Sequence, residues 1–119
     1  MPIRNGEFPG RRSNVKFDKN SAMHDVIWDR RALSELEAAA LWYDEQSPGM
    51  GDALLADVQE MLRKIRKDPQ IFPKIHPNIR HAVLRRFPYV VLFESEMSFI
   101  GIVSIFHSKR NPYEWMKRV

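Results

Sequence analysis

Apolar and polar positions divide the chain into two helical and four strand-like stretches. Leu33, Leu36, Ala40 and Tyr43 recur at helical spacing while Glu35, Glu37 and Asp44 fall mostly elsewhere, which predicts an amphipathic helix over 30–46. Asp29 stands in front of it as a candidate N-cap, because its carboxylate can accept from free N–H groups of the first turn. Ser47, Pro48 and Gly49 read as a turn. A second helix follows over 51–67, with Leu54, Val58, Met61, Leu62 and Ile65 as its apolar stripe. Asp52 and Asp57 in its first turns and Arg63, Lys64, Arg66 and Lys67 in its last suit the helix dipole, and the same four cations are a candidate nucleic-acid cluster.

The strand-like stretches have a different composition. Residues 24–28 (HDVIW) are a short apolar run, and 79–87, 89–94 and 99–106 are dominated by β-branched and aromatic residues. Pro88 opens the second of these three, where its missing N–H does little harm, and the polar residues 95–98 suit a hairpin loop. Gaps this short cannot hold a crossover, so these three strands are expected to form an antiparallel meander. Pro69, Pro73 and Pro77 make residues 68–77 an extended connector that is neither helix nor central strand, with Ile71, Phe72 and Ile75 expected to pin it to the core. The resulting order is β-α-α-β-β-β. It predicts an α+β fold, an antiparallel sheet with a two-helix hairpin packed on one face and the other face left for solvent, the tail or a partner.

At 119 residues the chain accommodates one core. Residues 1–23 lack any sustained period and are rich in Gly, Pro, Asn, Ser and charge, which predicts a disordered or loosely attached extension before a domain spanning 24–119. Residues 112–118 read as a final helical turn with Pro112 at its first position. No apolar run approaches the roughly 20 residues that span a bilayer, and the N-terminus has no apolar signal core, so the expected location is cytoplasmic, without a membrane partner. The net charge of +4 hides an asymmetry: residues 24–62 hold two Lys/Arg against nine Asp/Glu, whereas residues 63–119 hold twelve against four. The basic half points to nucleic acid or an acidic protein as partner, or to the acidic helices packing beside a basic sheet edge.

The absence of cysteine removes disulfides, thiolate metal sites and thiol nucleophiles, and His24, His76, His81 and His107 share no close metal-ligand spacing. Neither a phosphate-cradling Gly-rich loop nor a nucleophile-elbow pattern is present, so no cofactor and no metal is implied. Metal-free acid–base work on RNA remains available, with Arg able to stabilise a pentacovalent phosphate and His able to move a proton. Arg80, Arg86, His107, Arg110 and Tyr113 are the right residue types. The plainer alternatives are strand solvation and pairing with Glu94 or Glu96 for Arg80, Arg85 and Arg86, and a backbone-bonded strand end for His107.

A strand ending in Trp28, the helix end WYDEQSPGMG, the helix end IRKDPQIFP, then IRHAVLRRFPYVVLFE and finally HSKRNPYEWMKR stand in this order. Over about residues 24–119 this succession resembles the RelE/ParE superfamily of bacterial toxins. The resemblance implies a type II toxin–antitoxin (plasmid stabilization) toxin neutralised by a cognate antitoxin that wraps it. RelE-like members are ribosome-dependent mRNA endonucleases (mRNA interferases), whereas ParE-like members inhibit DNA gyrase without nuclease chemistry. RelE-like toxins carry a catalytic Arg just after the Tyr of the middle meander strand, and here Tyr89 is followed by Val90. Arg110 falls where they have a second arginine, Tyr113 lies near their C-terminal tyrosine, and His107 can act as a proton carrier. The Pro-rich connector, the FPY turn and the H-x2-R-x-P ending look closer to the ParE branch, for which Tyr113, Trp115 and Arg118 are the expected partner-binding anchors. A third reading is an interaction module without toxicity.

Overall fold

The computed structural model describes residues 25–109. Strand β1 (Asp25–Trp28) leads into helix α1 (Arg30–Gln46) and helix α2 (Met50–Lys67). After a single 3-10 turn (Pro69–Ile71) come β2 (Lys74–His76), β3 (Ile79–Val83), β4 (Tyr89–Ser95) and β5 (Phe99–His107). The five strands form one sheet in the order β1-β5-β4-β3-β2. The α+β architecture, the hairpin and the antiparallel β3-β4-β5 meander agree with the reading of the sequence.

Three local features differ from expectation. The sheet is mixed, because β1 runs parallel to β5, from Asp25 opposite Phe99 to Trp28 opposite Ile102. The proline connector adds a short edge strand, β2, antiparallel to β3 and irregular between Lys74 and His76. An edge is where a segment flanked by Pro73 and Pro77 can still pair. Phe72 packs against the core, edge-on to Phe93 at 5.7 Å, but Ile71 and Ile75 are 68% and 43% exposed and pin nothing. Finally, β3 ends at Val83, four residues short of expectation. Leu84 N–H still donates to the Tyr89 carbonyl at 2.9 Å, but residues 85–88 leave the ladder: Pro88 has no N–H to give it, and Asp57 takes two of the others, its Oδ2 accepting the N–H of Arg86 at 2.9 Å and of Phe87 at 3.2 Å.

The hairpin is set by its ends. Asp29 caps α1, its Oδ1 accepting the N–H of Arg31 at 2.8 Å. At the start of α2, Asp44 reaches across the turn to accept from Gly51 N–H at 2.8 Å and Gly49 N–H at 3.2 Å. Gly49 takes a left-handed φ of 91°, which glycine adopts without strain. Gly51 is needed for space, since a Cβ there would collide with the Ala40 carbonyl oxygen and lie 2.7 Å from Asp44 Oδ2.

Alternation along β4 gives the sheet two faces. Val91 and Phe93 join Trp28, Ile100, Ile102 and Ile105 beneath the hairpin, where Leu54, Val58, Met61, Leu62 and Ile65 of α2 and Ala32, Leu36 and Ala39 of α1 are buried. Val90 and Leu92 turn the other way and group with Ile79, Val103 and Phe106.

Leu62→Ala is expected to cost about 2–5 kcal/mol in chemical denaturation, the range for a large-to-small change in a closed core. Gly51→Ala is expected to cost about 1–3 kcal/mol in the same measurement, because the obstructing atoms belong to helix backbone and a capping side chain and have little freedom to move.

Candidate functional site

Helix α1 lies over β5, and one contact fixes how. The register of β4 and β5 shifts so that Leu92 faces Ser104 while Phe93 faces Ile102, leaving Val103 as the extra residue of a bulge. Glu35 uses the irregularity: its Oε1 accepts from the Ser104 hydroxyl and from the Ile105 N–H, both at 3.2 Å. Beyond this point α1 and the sheet diverge around an open groove of about 320 Å³. Glu35, Ala38, Ala39 and Trp42 line its helix side, and Tyr89, Ile105, Phe106 and His107 its sheet side.

Two of the lining residues, Trp42 and Tyr89, belong to a cluster of aromatic rings. Tyr43 stands edge-on to Phe87 at 5.0 Å, to Trp42 at 5.0 Å and to Tyr89 at 6.2 Å, and Tyr89 stands edge-on to His107 at 5.3 Å. Such T-shaped pairs add roughly 0.5–1.5 kcal/mol each beyond their buried area, so the end of the sheet is stiff. His107 is half-buried. Its Nδ1 accepts the Lys109 N–H at 3.1 Å, so the neutral ring carries its proton on Nε2. The groove therefore offers an imidazole, a phenol, a carboxylate and a half-exposed indole on a mostly apolar wall. That combination favours an apolar peptide segment with a few polar contacts.

Of the residues expected to do phosphate chemistry, Arg80, Arg86 and His107 are described, and Arg80 stands apart from His107. Arg80 sits on β3, opposite Phe93, whereas His107 pairs with Tyr89, four residues away along β4 or roughly 13 Å at strand rise. The Arg80 guanidinium donates to the Phe72 carbonyl at 2.6 Å and the Gln70 carbonyl at 3.4 Å, tying the connector to the sheet. Arg86 is exposed in the turn before β4, at the same end of the sheet as His107. Val90 pairs with Phe106 and belongs to the cluster on the far face, away from the hairpin. The basic end of α2 is divided as well: Arg66 is buried, and Arg63 bonds Glu60 at 2.5 Å. Arg110, Tyr113, Trp115 and Arg118 lie outside the described residues. Among the described residues, no group of three or more His, Cys, Asp or Glu side chains could hold a metal ion.

Residues 26–112 match the family described as the ParE toxin of the type II toxin–antitoxin system, parDE. The chain belongs to the ParE toxin family. The match runs from the second residue of β1 past the end of β5. Among solved structures, one described as the chromosomal ParDE TA system from P. aeruginosa is similar over 75% of this chain and 100% of that chain. It has a TM-score of 0.64 and 22% sequence identity, a likeness of fold. No curated protein matches the chain. Membership in the ParE family makes this a toxin-type domain of a type II toxin–antitoxin system. None of the described helices is long and apolar enough to cross a membrane.

Reading the sequence missed Glu35, Trp42, Tyr43 and Tyr89 as parts of one site. The available signal was Glu35 itself, a carboxylate beside the Ala32–Leu36–Ala39 stripe, on the side of the helix that meets the sheet. Glu35→Ala is expected to lower stability by about 1–2 kcal/mol in urea titration, since two donors lose their acceptor in a groove open to water. Glu35→Gln keeps a carbonyl acceptor and should lose less.

Proposed function

We propose that this ParE-family chain arrests growth in the cytoplasm by binding DNA gyrase, that it performs no nuclease chemistry, and that a cognate antitoxin neutralises it. The unit responsible is 24–119, with residues 1–23 dispensable. Two observations on the described residues support the binding reading: Arg80 is committed to two backbone carbonyls, and Val90, which follows Tyr89, turns away from the groove that holds His107. A developing phosphorane needs charge-assisted hydrogen bonds aimed at one point. Binding a protein target needs shape and a few anchors instead, for which Tyr113, Trp115 and Arg118 have the residue types most common at hot spots. The antitoxin's seat is the apolar wall of α1, where Ala38, Leu41 and Trp42 are exposed beside the groove. A segment presenting apolar residues at helical or strand spacing would cover them.

A RelE-like, ribosome-dependent endonuclease is the second reading, and His107 is what favours it. The ring is half-buried beside a rigid cluster of aromatic rings, with its proton on the nitrogen that is not bonded to Lys109.

The two readings separate on one substitution and two assays. In a gyrase supercoiling assay, Tyr113→Ala and Arg118→Ala are expected to weaken inhibition by at least about thirtyfold, the loss of a hot-spot anchor. His107→Ala should change it less than about threefold. In primer extension on translating ribosomes, the wild-type chain should leave no discrete cuts. Cuts that fall by roughly 10²–10⁴-fold in His107→Ala would establish the nuclease and remove the gyrase reading.

A further inference from the structure

Helix α1 is amphipathic twice over. Ala32, Leu36 and Ala39 are buried on the side that meets the sheet. On another side Arg31, Ser34, Ala38, Leu41 and Glu45 stand at intervals of three and four residues, one row along the helix, with Trp42 beside Leu41. All six are exposed, Leu41 at 65% and Trp42 at 54%. Single apolar residues scattered over a surface need no explanation, but Ala38, Leu41 and Trp42 adjoin, and an adjoining group rimmed by charge marks an interaction surface.

The charges at the two ends of this row oppose the helix's own dipole. The first turn of α1 holds no acidic residue and the last turn no basic one; Arg30 and Arg31 open the helix, and Asp44 and Glu45 close it. In α2 the order is the favourable one, with Asp52 in the first turn and Lys64, Arg66 and Lys67 in the last. Asp44 is accounted for by the N–H groups of Gly49 and Gly51 that it accepts. Arg31 reaches the Asp29 carboxylate only loosely, both contacts being 3.4 Å, and Glu45 is exposed at the far end of the row.

We propose that the free chain pairs with a second copy of itself through this row, the two α1 helices running antiparallel about a two-fold axis at Ala38. A two-fold contact is self-complementary, so every pairing across it occurs twice. With the axis at Ala38, Arg31 of one copy lies opposite Glu45 of the other, Ser34 opposite Trp42, and Ala38 opposite itself. The small side chains at 34 and 38 leave room for the indole and for close approach of the helices. Each Glu45 then sits beside the N-terminus of a neighbouring helix and each Arg31 beside a C-terminus, which reverses the sign of both dipole mismatches. A parallel pairing would set Arg31 against Arg31 and Glu45 against Glu45, so charge selects the antiparallel one.

Ala38, Leu41 and Trp42 are also the seat proposed above for the antitoxin. The two occupants therefore exclude one another, and pairing belongs to the chain without its antitoxin. That exclusion rests on the antitoxin reading, whereas the pairing does not.

The test is sedimentation equilibrium on the full chain alone. One helix face makes a small interface, so monomer and dimer are expected to exchange over roughly 1–100 μM. Leu41→Ser with Trp42→Ser is expected to weaken association at least about tenfold. Arg31→Glu and Glu45→Arg test the orientation. Each substitution suits the α1 dipole, so each variant should melt no lower than the wild type. Alone, each faces like charge across the axis and is expected to associate at least about tenfold more weakly. Mixed, the two variants re-form both ion pairs and are expected to associate with one another as tightly as the wild type does with itself. A chain that stays monomeric over the whole range leaves the row to the antitoxin and overturns the proposal. Association untouched by Leu41→Ser with Trp42→Ser overturns it too, by placing the contact elsewhere. Should that double variant fail to fold, the charge variants decide alone: a mixture that associates no better than either component overturns the antiparallel pairing.

Discussion

The end of the sheet that carries the groove depends on a buried carboxylate. Asp57, in the middle of α2, accepts two backbone N–H groups from the turn that joins β3 to β4. A buried carboxylate is tolerated when its acceptors are used, and hydrogen bonds to a charged group contribute roughly 1.5–3 kcal/mol each. The turn in return obtains partners for N–H groups that Pro88 prevents the ladder from using. Because the turn is fixed, Phe87 is placed under Tyr43 and β4 starts at Tyr89. From Tyr89 follow the position of His107 across the ladder and the cluster of aromatic rings beside the groove. One side chain on a helix thereby sets the geometry of a site to which it contributes no atom.

The two sheet faces carry different demands. The hairpin face is a continuous core from Val26 and Trp28 to Leu84 and Phe87, closed by the α2 stripe and by close approach of the helices at Gly51. The other face is smaller, purely strand-borne among the described residues, and polar at one end, where Glu94 is buried in β4. A β-bulge at Val103 serves both. It puts Val103 with Leu92 on the far face and gives the Ile105 N–H to Glu35 of α1 on the near one. Bulges commonly re-aim side chains beside functional sites, and this one docks the helix that walls the groove.

The cationic residues illustrate how little charge alone says about chemistry. Of the arginines in the first meander strand and the turn after it, Arg80 knits the proline connector to the sheet and Arg86 is exposed with only its backbone committed. Arg66 is buried in α2, and Arg63 makes a local pair with Glu60. A basic half of the chain is thus distributed between structural and solvated roles among the described residues. The groove is lined by one carboxylate and one imidazole amid apolar and aromatic side chains.

What the sequence determined by itself was whatever rests on local periodicity and local chemistry. Both helices appear within a residue of their expected ends, because the Leu54–Ile65 stripe and the Asp29 cap act over a few residues. The meander follows from gaps too short for any other connection. The order of motifs was enough to indicate a ParE-type toxin, which the family match then showed. Tertiary structure decided the rest. The parallel pairing of β1 with β5, the early end of β3 and the strand in the connector each depend on a partner far away in sequence. So does the groove: Glu35 and Ile105 are 70 residues apart, and only the packing of α1 across the bulge brings them together. Whether an arginine meets a phosphate or a carbonyl is decided the same way. A guanidinium reaches only a few ångströms, and its nearest acceptors come from segments that periodicity does not place.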